Sequence, residues 1–251
     1  MSTAKQRRAA AHRKLEAQIA ARKEAERQRK QQMIILSLVA AVAVIGLVTW
    51  MAVSSTDSAA KKAANACGYA ADGSGEPTVG LPSADGLKKT GTVDLGMSTN
   101  RGEIKMRLDR AGAPCAVNSF AFLAEAHFFD GTPCHRLTTG ALGVLQCGDP
   151  TGSGSGGAGY HFSEEPPTSA DPYPEGTVAM AKGQAANSTG SQFFICYKSC
   201  SDALGPEYSV VGKVTEGLDV VKAIAAEGTS NGASDGAPKN PVTITNLAVI
   251  S

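Results

Sequence analysis

The sharpest feature of the hydrophobic pattern is Met33–Val53, a run of 21 positions without a charge, in which only Ser37 and Thr49 carry hydroxyls. At about 1.5 Å per residue such a helix crosses a hydrocarbon core of about 30 Å. The pattern therefore predicts one transmembrane helix over residues 33–53. Residues 4–32 before it are dominated by Ala, Arg, Lys, Glu and Gln, with no Gly or Pro. They predict a helical arm whose few apolar positions, Leu15 and Ile19 among them, bury little. Residues 54–89 are rich in Ser, Ala, Gly, Pro and Lys without periodicity, as expected of a tether.

From about Gly91 the texture changes. Thr92–Met97 and Ile104–Leu108 alternate like half-buried strands, separated by the turn-like Thr99-Asn100-Arg101-Gly102. Val117–Ala126 has helical spacing, with Phe120, Leu123 and Ala124 on one face. Short apolar runs follow at Thr177–Met180, Gln192–Tyr197, Ser209–Val214 and Val242–Val249, and a second helix fits Leu218–Ala226. Many short strands with two helices predict a mainly β domain over residues 90–251, a closed antiparallel barrel capped by helices.

Charge adds orientation. The formal net charge of +1 hides ten Lys/Arg against three Glu in residues 1–32. No whole-chain field points to nucleic acid. The basic arm next to the apolar span places the N-terminus in the cytoplasm and everything after residue 53 outside, with the arm against anionic lipid. Trp50 suits the membrane interface. A cleaved signal peptide, with Ser58-Ala59-Ala60 at its cleavage point, is the rival reading, but its apolar region would exceed the usual length of about 7–15 residues. All six cysteines, Cys67, Cys115, Cys134, Cys147, Cys196 and Cys200, lie beyond the span. That distribution fits disulfides formed in an oxidising compartment, with about fifteen full pairings open. Cys196-x3-Cys200 also has a spacing that suggests zinc, but no second ligand pair accompanies it.

Three stretches carry chemistry: Phe129-Asp130-Gly131-Thr132-Pro133-Cys134-His135-Arg136, Gln146-Cys147-Gly148-Asp149, and Gly190-Ser191-Gln192-Phe193-Phe194-Ile195-Cys196. Together they resemble the cyclophilin family. Further pieces agree in order, among them Ala113-Pro114 with Val117-Asn118-Ser119-Phe120, Gly176–Ala181 and Val211-Gly212-Lys213-Val214. The texture is similar to that of envelope cyclophilins of Gram-positive bacteria.

The resemblance implies an eight-stranded barrel with two helices and peptidyl-prolyl cis-trans isomerase activity. It implies that Arg136 and Gln192 are catalytic, and that Gln146 grips the substrate backbone. Phe194 would floor a proline pocket walled by Val144, Leu204 and Tyr208, and Ala181 would contact the residue before proline. The implied partners are proline-containing polypeptides outside the cytoplasm, met by a monomeric enzyme with no cofactor and no metal. The departures lie at Gly143, where a pocket phenylalanine is usual, and at Val144, Lys182, Ala203 and Tyr208, which replace Met, Asn, Trp and His. Gly143 predicts a looser pocket and lower activity. A weakly catalytic or non-catalytic proline-binding scaffold is thus the alternative reading.

Gly152-x-Gly154-x-x-Gly157 matches the dinucleotide fingerprint on paper, but Pro166 and Pro167 follow soon after, so a flexible loop beside the site is expected instead. Cys134 and His135 are adjacent, and adjacent strand residues face opposite sides, which argues against a thiol nucleophile. Residue His135 is expected to be a buried structural histidine.

Overall fold

The computed structural model describes residues 66–72 and 79–250. The predicted arm, the Met33–Val53 span and residues 54–65 of the tether lie outside the described residues. Among the described residues no helix is long and apolar enough to cross a membrane.

Among the described residues eleven strands occur in chain order: β1 (Ala70–Ala71), β2 (Thr92–Thr99), β3 (Gly102–Asp109), β4 (Arg136–Thr138), β5 (Val144–Cys147), β6 (Tyr160–His161), β7 (Thr177–Lys182), β8 (Thr189–Cys196), β9 (Val210–Glu216), β10 (Asp235–Gly236) and β11 (Ile244–Ile250). Among the same residues the helices α1 (Pro114–Glu125) and α2 (Leu218–Glu227) join them. Nine strands make one antiparallel sheet in the order β10-β4-β5-β8-β7-β9-β3-β2-β11, and β1 pairs separately with β6.

The expected closed eight-stranded barrel is therefore corrected to a curled sheet of nine strands. No full ladder joins its ends. A single bridge, Pro133 to Thr243, does so, with Gly131, Cys134 and Ile244 amides donating to the carbonyls of Ile244, Val242 and Thr132 at 2.7, 2.9 and 2.9 Å. The bridging segment just before β4 holds Pro133, which has no N–H for a longer ladder.

Strand alternation divides the apolar residues between two clusters. Leu95 and Met97 of β2, Ile104, Met106 and Leu108 of β3, Leu145 of β5, Val178 of β7, and Phe193 and Ile195 of β8 point inward. The helix α1 lays Ala116, Val117, Phe120, Leu123 and Ala124 against them. The intervening residues Val144, Ala179, Phe194 and Cys196 form a second cluster on the other face. At the β2–β3 turn, Gly102 has φ +139°, and a Cβ there would lie 2.9 Å from Val220 of α2, so only glycine lets the helix sit this close.

Helix α1 begins at Pro114, three residues before its periodicity predicts. Its N-cap Ala113 supplies no side-chain bond. Instead the distant Glu165 carboxylate accepts the Cys115 and Ala116 amides at 3.1 and 2.9 Å. Burial raises the Glu165 carboxyl above its ordinary range despite those two amides.

The expected boundary at residue 90 also moves. Cys67 is disulfide-bonded to Cys115, and Tyr69 donates to the Cys115 carbonyl at 2.7 Å. Tyr69 stacks edge-on with Tyr160 and Phe162, and burial pushes its phenol up to about 12. Ala84 and Leu87 join the core as well. What reads as tether in residues 67–72 and 84–87 is packed onto the domain. Composition hides this because the anchoring contacts come from residues 46 or more positions away.

Candidate active site

The site is assembled by cross-strand register. β4 sets Arg136 opposite Gln146 of β5, β5 sets Gln146 opposite Phe194 of β8, and β8 sets Phe194 opposite Ala179 of β7. Directly opposed residues share a face. Gln192 and Val144, two positions from Phe194 and Gln146, share it too.

Along that face runs a row of hydrogen bonds. Arg136 Nε and Nη2 donate to the two oxygens of Asp235 at 2.9 and 2.7 Å. Arg136 Nη1 donates to Gln146 Oε1 at 3.0 Å, and Gln146 Nε2 donates to Gln192 Oε1 at 2.8 Å. Gln192 Nε2 ends the row on the Gly154 and Gly156 carbonyls at 3.0 and 2.9 Å. The hydrogen bond to Asp235 raises the Arg136 guanidinium further above its usual value and holds the Asp235 carboxyl below its own.

Beside the row lies the second apolar cluster. Phe194 and Val144 are its buried floor, with Ala179, Tyr173, Cys196 and Cys200, and Leu142, Ala181, Leu204, Tyr208 and Val210 pack against them. The Tyr208 ring meets Phe194 edge-on, centroids 5.6 Å apart. The sequence-predicted residues Phe194, Val144, Ala181, Leu204 and Tyr208 thus come together next to Arg136, Gln146 and Gln192.

Gly143 is a different case. A Cβ on this residue would lie 2.4–2.9 Å from Cε, Cγ and Cδ of Lys198, whose ammonium donates to the Gly140 carbonyl at 2.6 Å. The gap expected at Gly143 is filled by the stem of another side chain.

Three contributors were given no role in the sequence reading, although Asp149 falls within one of its motifs. Asp235 lies 99 residues from Arg136, in a Ser/Gly-rich segment with no apolar rhythm, so nothing local signals it. Tyr173 is fully buried, and its hydroxyl donates to the carbonyls of Gly205 and Tyr208 at 3.1 Å while accepting the Tyr208 amide at 3.0 Å, so it holds the Leu204–Tyr208 wall. Asp149 is buried and organises the glycine loop after β5. Its carboxylate accepts the Thr151, Gly154 and Gly156 amides at 2.8, 2.6 and 3.1 Å. Burial alone would raise the Asp149 carboxyl, but bonds from Thr151, Gly156 and Gly154 outweigh it and hold it low. The loop expected to be flexible is braced from beneath. Gly154 also closes over the ring of His135. Both His135 nitrogens are buried without a hydrogen-bond partner, the Gln192 amide lying near but outside bonding geometry. Burial accordingly lowers the His135 pKa.

Three disulfides choose one of the open pairings: Cys67–Cys115, Cys134–Cys147 and Cys196–Cys200. The last removes the zinc reading of its spacing. Among the described residues no cluster of His, Cys, Asp and Glu could hold a metal ion.

An antiparallel curled sheet with an arginine–glutamine row beside an outward apolar pocket defines a class, and the comparisons agree on which. The family described as cyclophilin type peptidyl-prolyl cis-trans isomerase/CLD matches residues 93–249, and this chain belongs to it. The chain is 46% identical over 169 residues to a "Probable peptidyl-prolyl cis-trans isomerase B" of Mycobacterium leprae, covering 62% of this chain and 56% of the relative. It is 45% identical over 168 residues to the protein of the same description from Mycobacterium tuberculosis, covering 62% and 54%. The chain thus spans just over half the length of these relatives. Among solved structures, a Cryptosporidium parvum cyclophilin type peptidyl-prolyl cis-trans isomerase is similar at TM-score 0.57 and 26% identity, covering 64% of this chain and 99% of that one. The same protein has been crystallised in the presence of the dipeptide Ala-Pro.

Proposed function

We propose that this chain is a peptidyl-prolyl cis-trans isomerase acting on secreted or envelope polypeptides, held at the membrane by Met33–Val53 with its domain outside the cytoplasm. The observation that carries the reading is the position of Arg136. Its guanidinium sits at the edge of the Phe194–Val144 pocket and is fixed in plane by Asp235 and Gln146.

The reaction needs little more than this. The C–N bond resists rotation because the nitrogen lone pair is delocalised, giving a barrier of about 18–20 kcal/mol. At X-Pro the isomers are close in energy yet exchange slowly. Rotation localises the lone pair on nitrogen, so a donor aimed there stabilises the twisted state more than either planar one. Of about five guanidinium N–H groups, three are used in the bonds to Asp235 and Gln146, leaving the remainder for the amide. Phe194, Val144, Leu204 and Tyr208 hold the ring in place. Gln146, Gln192 and Ala181 meet the flanking backbone. The crystallisation of the Cryptosporidium parvum protein in the presence of Ala-Pro is consistent with such a ligand. The apolar span and its basic flank support the location.

The test is an isomer-exchange assay on the full-length chain with an X-Pro peptide, by NMR exchange or coupled proteolysis. Arg136→Ala should lower kcat/KM by about 10²–10³, the usual loss on removing one transition-state donor. Equal rates for wild type and Arg136→Ala would sink the reading in favour of a non-catalytic proline-binding scaffold.

A further inference from the structure

The ladder between β7 and β8 breaks inside the site. Met180 faces Phe193, but the next pair is Lys182 with Thr189, so Ala181 alone stands opposite Gly190, Ser191 and Gln192. No regular pairing therefore fixes Gln192 against Ala181. Beyond the break, residues 183–188 loop from β7 to β8, with Asn187 in the left-handed region at φ +55°. Such a conformation costs a non-glycine residue free energy and persists where the surroundings hold it.

Glu164 does the holding. Its Oε2 accepts the Asn187 amide at 2.8 Å, and its Oε1 accepts the Ser188 amide at 2.8 Å and the Thr189 hydroxyl at 3.3 Å. Burial alone would raise the Glu164 carboxyl, but the Ser188 and Asn187 amides outweigh it and hold it low. The segment that carries Glu164 runs between two others. On one side the Phe162 amide donates to the Thr189 carbonyl at 2.9 Å. On the other, Tyr160 and His161 of β6 pair with Ala71 and Ala70 of β1, and the Ser163 amide donates to the Cys67 carbonyl at 3.2 Å. Cys67 is fixed in turn by its disulfide to Cys115. Residues 67–71 precede the family-matched region, which begins at 93.

We propose that Glu164 is a positioning residue for isomerisation, setting Gln192 against Ala181 through its clamp on residues 187–189, and that the docked segment Cys67–Ala71 holds Glu164 in place. This role rests on the isomerase reading of the site. Glu164 acts through Thr189, which lies three positions before Gln192 on β8. A carboxylate suits the task because both oxygens accept, so one side chain takes two amides and a hydroxyl. A carboxamide in its place would turn a donor toward one of the amides.

The experiment is a kinetic cycle on the full-length chain with one X-Pro peptide, joined to hydrogen exchange at the Asn187 and Ser188 amides. Glu164→Ala should lower kcat by about tenfold with KM within about twofold, the pattern of a misplaced transition-state contact rather than of lost binding. Glu164→Gln should fall between, because it keeps one acceptor oxygen. A role in stability alone would lower the unfolding midpoint and leave kcat of the folded enzyme unchanged, and that result overturns the proposal. Cys67→Ser/Cys115→Ser should lower kcat by about threefold, raise exchange at both amides, and add nothing further in the Glu164→Ala background. Equal losses in the two backgrounds would show that the docked segment does not work through Glu164, and overturn that link. Should the cysteine variant fail to fold, Gly68→Ala enters the same cycle. Its Cβ would lie 2.8 Å from Ser163 Oγ at φ +69°, which loosens the contact with the disulfide intact. A wild type without measurable isomerisation would overturn the catalytic reading. Exchange at Asn187 and Ser188 would then decide the clamp by itself, a rise in Glu164→Ala supporting it and no change sinking it.

Discussion

The contact between Lys198 and Gly143 gives the sharpest test of how this pocket is built. Three methylenes of Lys198 (Cγ, Cδ and Cε) occupy the space that a side chain at position 143 would need. At about 0.8 kcal/mol per fully buried CH₂, three would contribute about 2.4 kcal/mol. Lys198 is only partly buried, so about half of that is realistic, roughly 1 kcal/mol. The ammonium's bond to the Gly140 carbonyl adds about 0.5–1.5 kcal/mol. Lys198→Ala should therefore cost about 1.5–2.5 kcal/mol in urea unfolding and raise KM for X-Pro peptides, since the segment beside Val144 loses its cover. Gly143→Phe alone should destabilise, because its Cβ would fall within 3 Å of the Lys198 stem. Gly143 has no left-handed φ, so the backbone itself accepts a side chain. The double variant Gly143→Phe/Lys198→Ala should then recover most of both losses. A double-mutant cycle measures this directly, with an expected coupling of at least about 1 kcal/mol. Additive losses, or a Lys198→Ala variant as stable as wild type, would refute the claim that the stem stands in for an aromatic wall.

Serine replacement of the three disulfides should rank by loop length: with separations of 48, 13 and 4 residues, loop closure predicts losses of about 4, 3 and 2 kcal/mol for Cys67–Cys115, Cys134–Cys147 and Cys196–Cys200. Denaturant midpoints in a different order would reject that ranking. Glu165→Ala should cost about 0.5–2 kcal/mol, because it strips the start of α1 of a side-chain cap; hydrogen exchange at Cys115 and Ala116 should rise, and no change there would count against the role. The Asp235 carboxyl is held below its ordinary 3.8, so its pairing with Arg136 supports the fold above that pH and is lost as pH falls through the depressed value. Asp235→Asn should therefore flatten the acid limb of stability, leave neutral-pH stability within about 1 kcal/mol because the pair is exposed, and lower kcat more than it raises KM. A variant with unaltered kcat would show that Asp235 does not position the guanidinium.

Period and spacing in the sequence determined much of this protein. Alternation at Thr92–Met97 and Ile104–Leu108 placed β2 and β3, and helical spacing placed α2 to within a residue and α1 with its start three residues late, because those elements bury one face each. The residues of the pocket were legible through ordered motifs carrying Arg136, Gln146, Gln192 and Phe194. Short strands such as β4, β6 and β10 were not, since two or three residues hold no period. Only the tertiary structure could decide what couples distant segments. The pairing of Cys67 with Cys115, the docking of Cys67–Asp72 onto the domain, the Glu165 cap on α1 and the Asp235 grip on Arg136 all depend on segments 46 to 99 residues apart. The same holds for Lys198: the glycine reads as a missing wall in one dimension, and only packing in three shows which side chain takes its place.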